Sequence, residues 1–181
     1  KAFAVGQAYP KRSLSQAVRP EMEALARETG ESVNLAVPLG REALYLDQVE
    51  GTKLVRLFTA PGSRAPLHAT GVGKVFLAYL GVPEGLSLTP YTPHTLTRLP
   101  DLLRELEAVR GRGYALDNEE KELGVRCVAA PVFGASGGVV AALSLSAPAS
   151  RLSLEEAHRL APRVVEAARR ASLRLGYTGE V

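Results

Sequence analysis

Residues 125–146 read Val125-Arg126-Cys127-Val128-Ala129-Ala130-Pro131-Val132-Phe133, then Gly134-Ala135-Ser136-Gly137-Gly138, then Val139-Val140-Ala141-Ala142-Leu143-Ser144-Leu145-Ser146. Two apolar runs of strand length flank a segment made of the residues that tight turns need, so this stretch predicts an antiparallel hairpin. Side chains alternate across a strand, which puts Ser144 and Ser146 on one face and Leu143 and Leu145 on the other. By the same rule Val125, Cys127 and Ala129 oppose Arg126, Val128 and Ala130.

Working outward, Tyr114 to Asp117 reads as a short strand and Asn118 to Gly124 as a charged loop. The helix before them, Leu99 to Arg110, carries Leu102, Leu103, Leu106 and Val109 on one face and ends at Gly111 and Gly113. Gly81 to Pro93 is an irregular connection. Downstream, Ser153 caps a last helix, with Glu155 and Glu156 in its first turn and Leu160, Val164, Val165, Ala168, Ala171 and Leu175 leading to Gly176. At the other end, Leu14, Val18, Met22, Leu25 and Ala26 recur at helical spacing between Ser13, a cap, and Gly30, a stop. Pro20 inside this helix predicts a kink or a late start near Val18. Val33 to Val37 and Leu44 to Val49 form a hairpin about Leu39-Gly40-Arg41-Glu42, and Lys53 to Thr59 reads as a third strand. The order helix, three strands, two helices, three strands, helix describes an α+β domain with a mostly antiparallel sheet of about six strands.

Composition bounds what such a domain does. The chain has 181 residues, 46% hydrophobic and 23% charged, which suits one domain with short appendages. No apolar run approaches the ~20 residues of a membrane span, so no membrane partner is expected. One cysteine and three scattered histidines offer no zinc-ligand spacing and no internal disulfide, which suits the reducing cytoplasm. The formal charge of +3 spreads over 22 basic and 19 acidic residues, a solvated surface rather than a nucleic-acid footprint.

His68-Ala69-Thr70-Gly71-Val72-Gly73-Lys74 runs into the apolar helix Val75 to Leu80. A glycine loop opening a helix aims free N–H groups, and the positive end of the helix dipole, at an anion. It is not a nucleotide P-loop, which would need Gly at position 68 and Ser or Thr at 75. The remaining ingredients of a site are Asp117, Cys127, Ser144 and Ser146. Each also has a plain structural reading: Asp117 as a turn former, Cys127 as a small buried hydrophobe, and the serines as a face turned to water. His68 as a packing or helix-capping residue outweighs His68 as a base for a nucleophile. Glu119-Glu120-Lys121-Glu122 reads as a solvated loop, and Arg163, Arg169, Arg170 and Arg174 as a surface stripe.

Five ordered segments together resemble the C-terminal effector-binding domain of IclR-family bacterial transcription regulators. They are Pro66 to Lys74; Tyr91-Thr92 through Thr95-Leu96-Thr97; Gly113-Tyr114-Ala115 with Asp117 and Glu119-Glu120; Gly124 to Val132; and Val140 to Ser146. The resemblance runs from about Leu14 to Gly176. It implies a GAF-like fold over residues 13–177. Residues 1–12 would end the linker from a separate N-terminal winged helix-turn-helix, and residues 178–181 would form a tail. It also implies a small-molecule effector, a carboxylic acid, bound without a cofactor by the backbone of Gly71 and Val72 and the side chains of Asp117, Cys127, Ser144 and Ser146. Leu54, Leu57, Ala65 and Val125 would form the pocket walls. Family members are homo-dimers or tetramers and reach DNA only through the N-terminal domain. Two other classes compete: a small enzyme using Cys127 with His68 and Asp117, and a purely structural dimerisation module.

Overall fold

The computed structural model describes residues 11–179. Helix α1 (Lys11–Thr29) leads into β1 (Ser32–Leu39), β2 (Glu42–Val49) and β3 (Arg64–Pro66), then α2 (Gly71–Leu80) and α3 (Leu99–Arg112). β4 (Ala115–Asn118), β5 (Val125–Phe133), β6 (Val139–Pro148) and α4 (Leu154–Arg174) complete the chain. The strands form one antiparallel sheet in the order β3-β2-β1-β6-β5-β4, an α+β fold with six strands. Each half of the chain supplies three consecutive strands, and pairing of β1 with β6 fuses the halves at the centre.

The two faces of the sheet bury different things. Val33, Leu35, Val128, Ala130, Val132, Leu143 and Leu145 point toward α1 and α4 and pack with Val18, Met22, Leu25, Val164 and Ala168. On the opposite face the sheet offers small residues, Ala36, Ala43, Ala115, Ala129 and Ala142, and α2 and α3 settle on them through Val72, Val75, Phe76, Leu102 and Leu106. Small sheet residues let a helix approach closely, and α2 starts almost on the strands: a Cβ on Gly71 would lie 3.0 Å from the Ala129 Cβ.

Most predicted elements form where their periodicity places them, with three corrections. The first helix is already formed at Lys11, so Ser13 lies inside it, and it runs through Pro20 without a break. Proline removes one donor, and the carbonyl four residues back belongs to exposed Gln16, which water can serve. The expected linker end, residues 1–12, lies almost entirely outside the described residues, as do the last two residues of the tail. Leu103 is exposed; the buried face of α3 is Leu102, Leu106 and Val109.

The third correction is that Lys53 to Thr59 is not a strand. The edge of β2 is taken instead by Arg64–Pro66, paired opposite Glu42, Ala43 and Leu44. Apolar residues alternate on both sides of Lys53 to Thr59, and no second layer covers them, so Leu54 is 94% and Phe58 66% exposed. Polar tethers hold the segment: the Ser32 hydroxyl donates to the Leu57 carbonyl at 2.6 Å, the Thr52 N–H to the Gly30 carbonyl at 3.0 Å, and the Arg151 guanidinium to the Val55 carbonyl.

Candidate functional site

Beside the alanines that seat α2, the same sheet face turns polar. Asp117 on β4 stands opposite Cys127 on β5, Cys127 opposite Ser146 on β6, Ser146 opposite Ser32 on β1, and Ser144 opposite Asn34. Asn34 stands opposite Gln48 on β2. A bulge between Leu35 and Ala36 shifts the register, so that Gln48 and Tyr45, three positions apart, both lie on this face instead of on opposite ones.

Hydrogen bonds tie the set together. The Asn34 Nδ2 donates to the Ser144 Oγ at 3.3 Å and the Ser146 Oγ at 3.2 Å, and its Oδ1 accepts from the Gln48 Nε2 at 2.8 Å. The Cys127 Sγ and Ser146 Oγ share a bond at 3.1 Å. Because Asn34 supplies a donor to each serine oxygen, the Ser144 proton remains available, and the Ser146 proton does too when the Cys127 thiol donates the bond they share. Ser144 and Ser146 are buried, which removes the reading of a serine face turned to water.

The N-terminus of α2 adjoins this cluster. Thr70 caps the helix, its Oγ accepting from the Gly73 N–H at 3.1 Å while donating to the Pro66 carbonyl at 2.7 Å. The Gly71 and Val72 N–H groups are left at the helix mouth. Gly71 faces Ala129 and the Ala115 carbonyl, each two residues along its strand from Cys127 or Asp117. Hydroxyl donors, backbone N–H groups and the positive end of a helix dipole thus converge, an arrangement suited to the oxygens of a small anion.

Asp117 also does what a turn former does. Its Oδ1 accepts from the Glu120 N–H at 2.8 Å, and Glu120 in turn accepts from the Asn118 N–H at 3.0 Å. The Lys74 Nζ, buried on α2, donates to both Glu120 carboxylate oxygens at 2.8 and 3.0 Å. The charged loop is therefore not wholly solvated: Glu120 is buried against Lys74, and the turn is fastened to the helix that opens the site.

Burial, reinforced by the Glu120 charge, pushes the Asp117 carboxyl up to about 7, although the Glu120 and Lys121 N–H groups and Lys74 oppose the shift. Burial and the Asp117 charge push the Cys127 thiol up, which keeps it from the thiolate form a nucleophile needs. Burial, with the charges of Cys127 and Asp117, likewise raises the Tyr45 hydroxyl. His68 is committed elsewhere, with its Nε2 on the Thr89 carbonyl at 2.8 Å and its ring against Tyr91.

The Asp117 shift has a testable sign. An acid whose folded pKa lies above its ordinary value contributes stability that is present in full below about 4 and is lost as pH rises through about 7. Asp117→Asn keeps an oxygen for the Glu120 N–H and removes the charge. Urea unfolding should show the variant gaining on the native domain between pH 5.5 and 8, by about 1–3 kcal/mol at the upper end. Parallel pH profiles would contradict the buried, late-titrating carboxyl.

Of the residues expected from the sequence, Asp117, Cys127, Ser144 and Ser146 come together on one face, with Gly71 and Val72 beside them. Val125 is half-buried on that face, and Ala65 is buried in the core under α2. Leu57 is partly buried and is held through its carbonyl. Leu54 is no pocket wall: its side chain stands in solvent. Asn34, Gln48, Tyr45 and the Lys74–Glu120 pair escaped the sequence reading. An asparagine alternating with Val33 and Leu35 reads as a solvent-facing position, and only the pairing of β1 with β6 sets it against the serines. The Gln48 Oε1 is buried without a partner.

Comparison with known proteins accords with this architecture. Residues 7–173 match the family model described as bacterial transcriptional regulator IclR C-terminal. The HTH-type transcriptional regulator BhcR of Paracoccus denitrificans (strain Pd 1222) is 39% identical over 178 residues, covering 94% of this chain and 64% of BhcR. This chain thus spans under two thirds of that relative's length. The crystal structure of the Thermotoga maritima IclR superposes with a TM-score of 0.82 at 34% identity, covering 97% of this chain and 72% of that one. The inducer binding domain of the PobR transcription factor from Acinetobacter, a double mutant in complex with 3-hydroxy benzoic acid, superposes with a TM-score of 0.79 at 26% identity, covering 91% of this chain and 98% of that one. These relatives are regulators of transcription, and the reading of the chain as a cysteine-dependent enzyme is set aside. The chain belongs to the IclR family of bacterial transcriptional regulators, of which it carries the C-terminal domain.

Proposed function

We propose that this domain, residues 13–177, senses a small carboxylic acid and controls DNA binding by a separate N-terminal winged helix-turn-helix of the same regulator. In this reading the regulator works in the cytoplasm as a homo-dimer or tetramer whose symmetry matches a two-fold operator. The single observation that carries the proposal is the row of buried Asn34, Ser144 and Ser146 and half-buried Cys127 beside the N–H groups at the start of α2. The row is held by its own hydrogen bonds, which offset the cost of burying it, and it still leaves the Ser144 hydroxyl proton and the α2 N–H groups for a ligand. A carboxylate would accept from Gly71, Val72 and the serine hydroxyls, while Asp117 would accept from a ligand hydroxyl or face the carboxylate in its protonated form. That the double mutant of the PobR inducer binding domain holds 3-hydroxy benzoic acid supports a carboxylic acid here.

The test is a thermal-shift screen of 2-oxo, hydroxy and aromatic acids. A ligand at 100 times its Kd stabilises the folded state by about 2.7 kcal/mol. We expect a hit with the native domain, and its loss in both Ser144→Ala and Cys127→Ala. A hit that survives both substitutions would move the site elsewhere, and silence from every acid class would remove the carboxylate reading.

A further inference from the structure

Arg126 follows Val125 on β5 but points away from the polar face, and it is buried. Its guanidinium joins two segments that are distant in sequence. Toward the turn after Asp117, its Nε donates to the Asn118 Oδ1 at 3.0 Å and its Nη2 to the Glu119 Oε2 at 3.2 Å. Toward the turn before α4, its Nη1 donates to the Leu152 carbonyl and, at 3.4 Å, to the Ala149 carbonyl. A planar fork of five N–H donors can serve both sides at once, which a lysine cannot.

Each segment is also tied to one rim of the site. On the first, Asp117 holds the Glu120 N–H, Glu119 sits at a φ of 57°, and the Thr92 and Thr95 hydroxyls donate to the Glu119 and Glu120 carbonyls at 2.7 and 2.6 Å. A non-glycine residue in that backbone region persists only where its surroundings enforce it. On the second, Arg151 pairs with both Glu31 oxygens at 2.8 Å and donates to the Val55 carbonyl. The same exposed segment is fastened to Ser32, the residue opposite Ser146, through the Leu57 carbonyl.

We propose that Arg126 is a positioning residue that couples these two rims, so that a change at Asp117 reaches the turn of residues 149–152 and the first turn of α4. The proposal deepens the effector reading and rests on it for its purpose, since it supplies the route by which occupancy of the site would leave it. The β5–β6 ladder ends at the pair Val125 and Pro148, and one further bond carries the Ala149 N–H to the Gly124 carbonyl. Beyond that point the Arg126 side chain makes the connection to Leu152.

The test needs no effector, so its failure is separate from a failed acid screen. Native-state hydrogen exchange is followed at the Arg151, Leu152 and Ala157 amides, which bond to the Pro148 and Ser153 carbonyls. Asp117→Ala removes the acceptor of the Glu120 N–H; we expect it to speed exchange at the three remote amides about fivefold or more. In an Arg126→Lys background the same substitution should change them less than twofold. Should Arg126→Lys fail to fold, Asn118→Ala combined with Glu119→Ala cuts the same link from its other, half-buried end. A remote response of equal size in both backgrounds would reduce Arg126 to a structural residue. The absence of any remote response in the native background would overturn the coupling itself.

Discussion

Lys74→Met should destabilise this domain by about 3–5 kcal/mol, the cost of leaving one member of a buried ion pair without its partner. Lys74 is wholly buried, and its Nζ lies 2.8 and 3.0 Å from the Glu120 carboxylate oxygens, with Glu105 at 3.7 Å. Methionine fills much the same volume, so the effect isolates the charge. The double variant Lys74→Met with Glu120→Gln should recover part of the loss, because the orphaned carboxylate is then neutral. Equilibrium unfolding in urea measures all three proteins. A loss below about 1 kcal/mol, the range of an exposed pair, would mean that Glu120 escapes to water. Since Glu120 also holds the Asn118 N–H, and Asp117 holds the Glu120 N–H, the substitution should loosen the site along with the fold.

Gly73→Ala is expected to cost roughly 3 kcal/mol or more, a magnitude confined to backbone collisions and comparable defects. A Cβ at Gly73 would lie 2.4 Å from both the Cα and the carbonyl oxygen of Leu67. These are backbone atoms at the entry to α2 and cannot rotate aside. On intrinsic propensity alone alanine in a helix gains up to about 1 kcal/mol over glycine, so the collision decides the sign. Gly111→Ala in α3 is the control: a Cβ there meets nothing within 4 Å, and that variant should be stabilised by up to about 1 kcal/mol. Two thermal melts compare them. Stabilisation of both would show that α2 can slide on the alanine face of the sheet.

The sequence was most legible where periodicity and turn chemistry agree. The hairpin from Val125 to Ser146, the Ser153 cap with its bond from the Glu156 N–H at 3.1 Å, and the glycine entry to α2 all form from residues adjacent in the chain. Lys53 to Thr59 had the alternation of a strand without a layer to bury it, and alternation alone cannot report what lies across from a segment. Pro20 carries the penalty expected of it, but the buried face of Val18, Met22 and Leu25 outweighs one missing bond.

The candidate site divides along the same line. Asp117, Cys127, Ser144 and Ser146 were legible as a set because their spacing and order resemble a family pattern, and alternation by itself puts the two serines on one face. The pairing of β1 with β6 was not legible, since it joins residues more than a hundred positions apart, and it is this pairing that sets Asn34 against both serines. A bulge of one residue put Gln48 and Tyr45 on the polar face. Glu120 read as part of a solvated loop, and its pairing with Lys74 arises only because α2 closes over the turn after Asp117. Local elements follow from neighbours along the chain, which the sequence lists in full. The polar partners of a buried site are chosen by strand register and helix seating, and these are settled only when the whole sheet assembles.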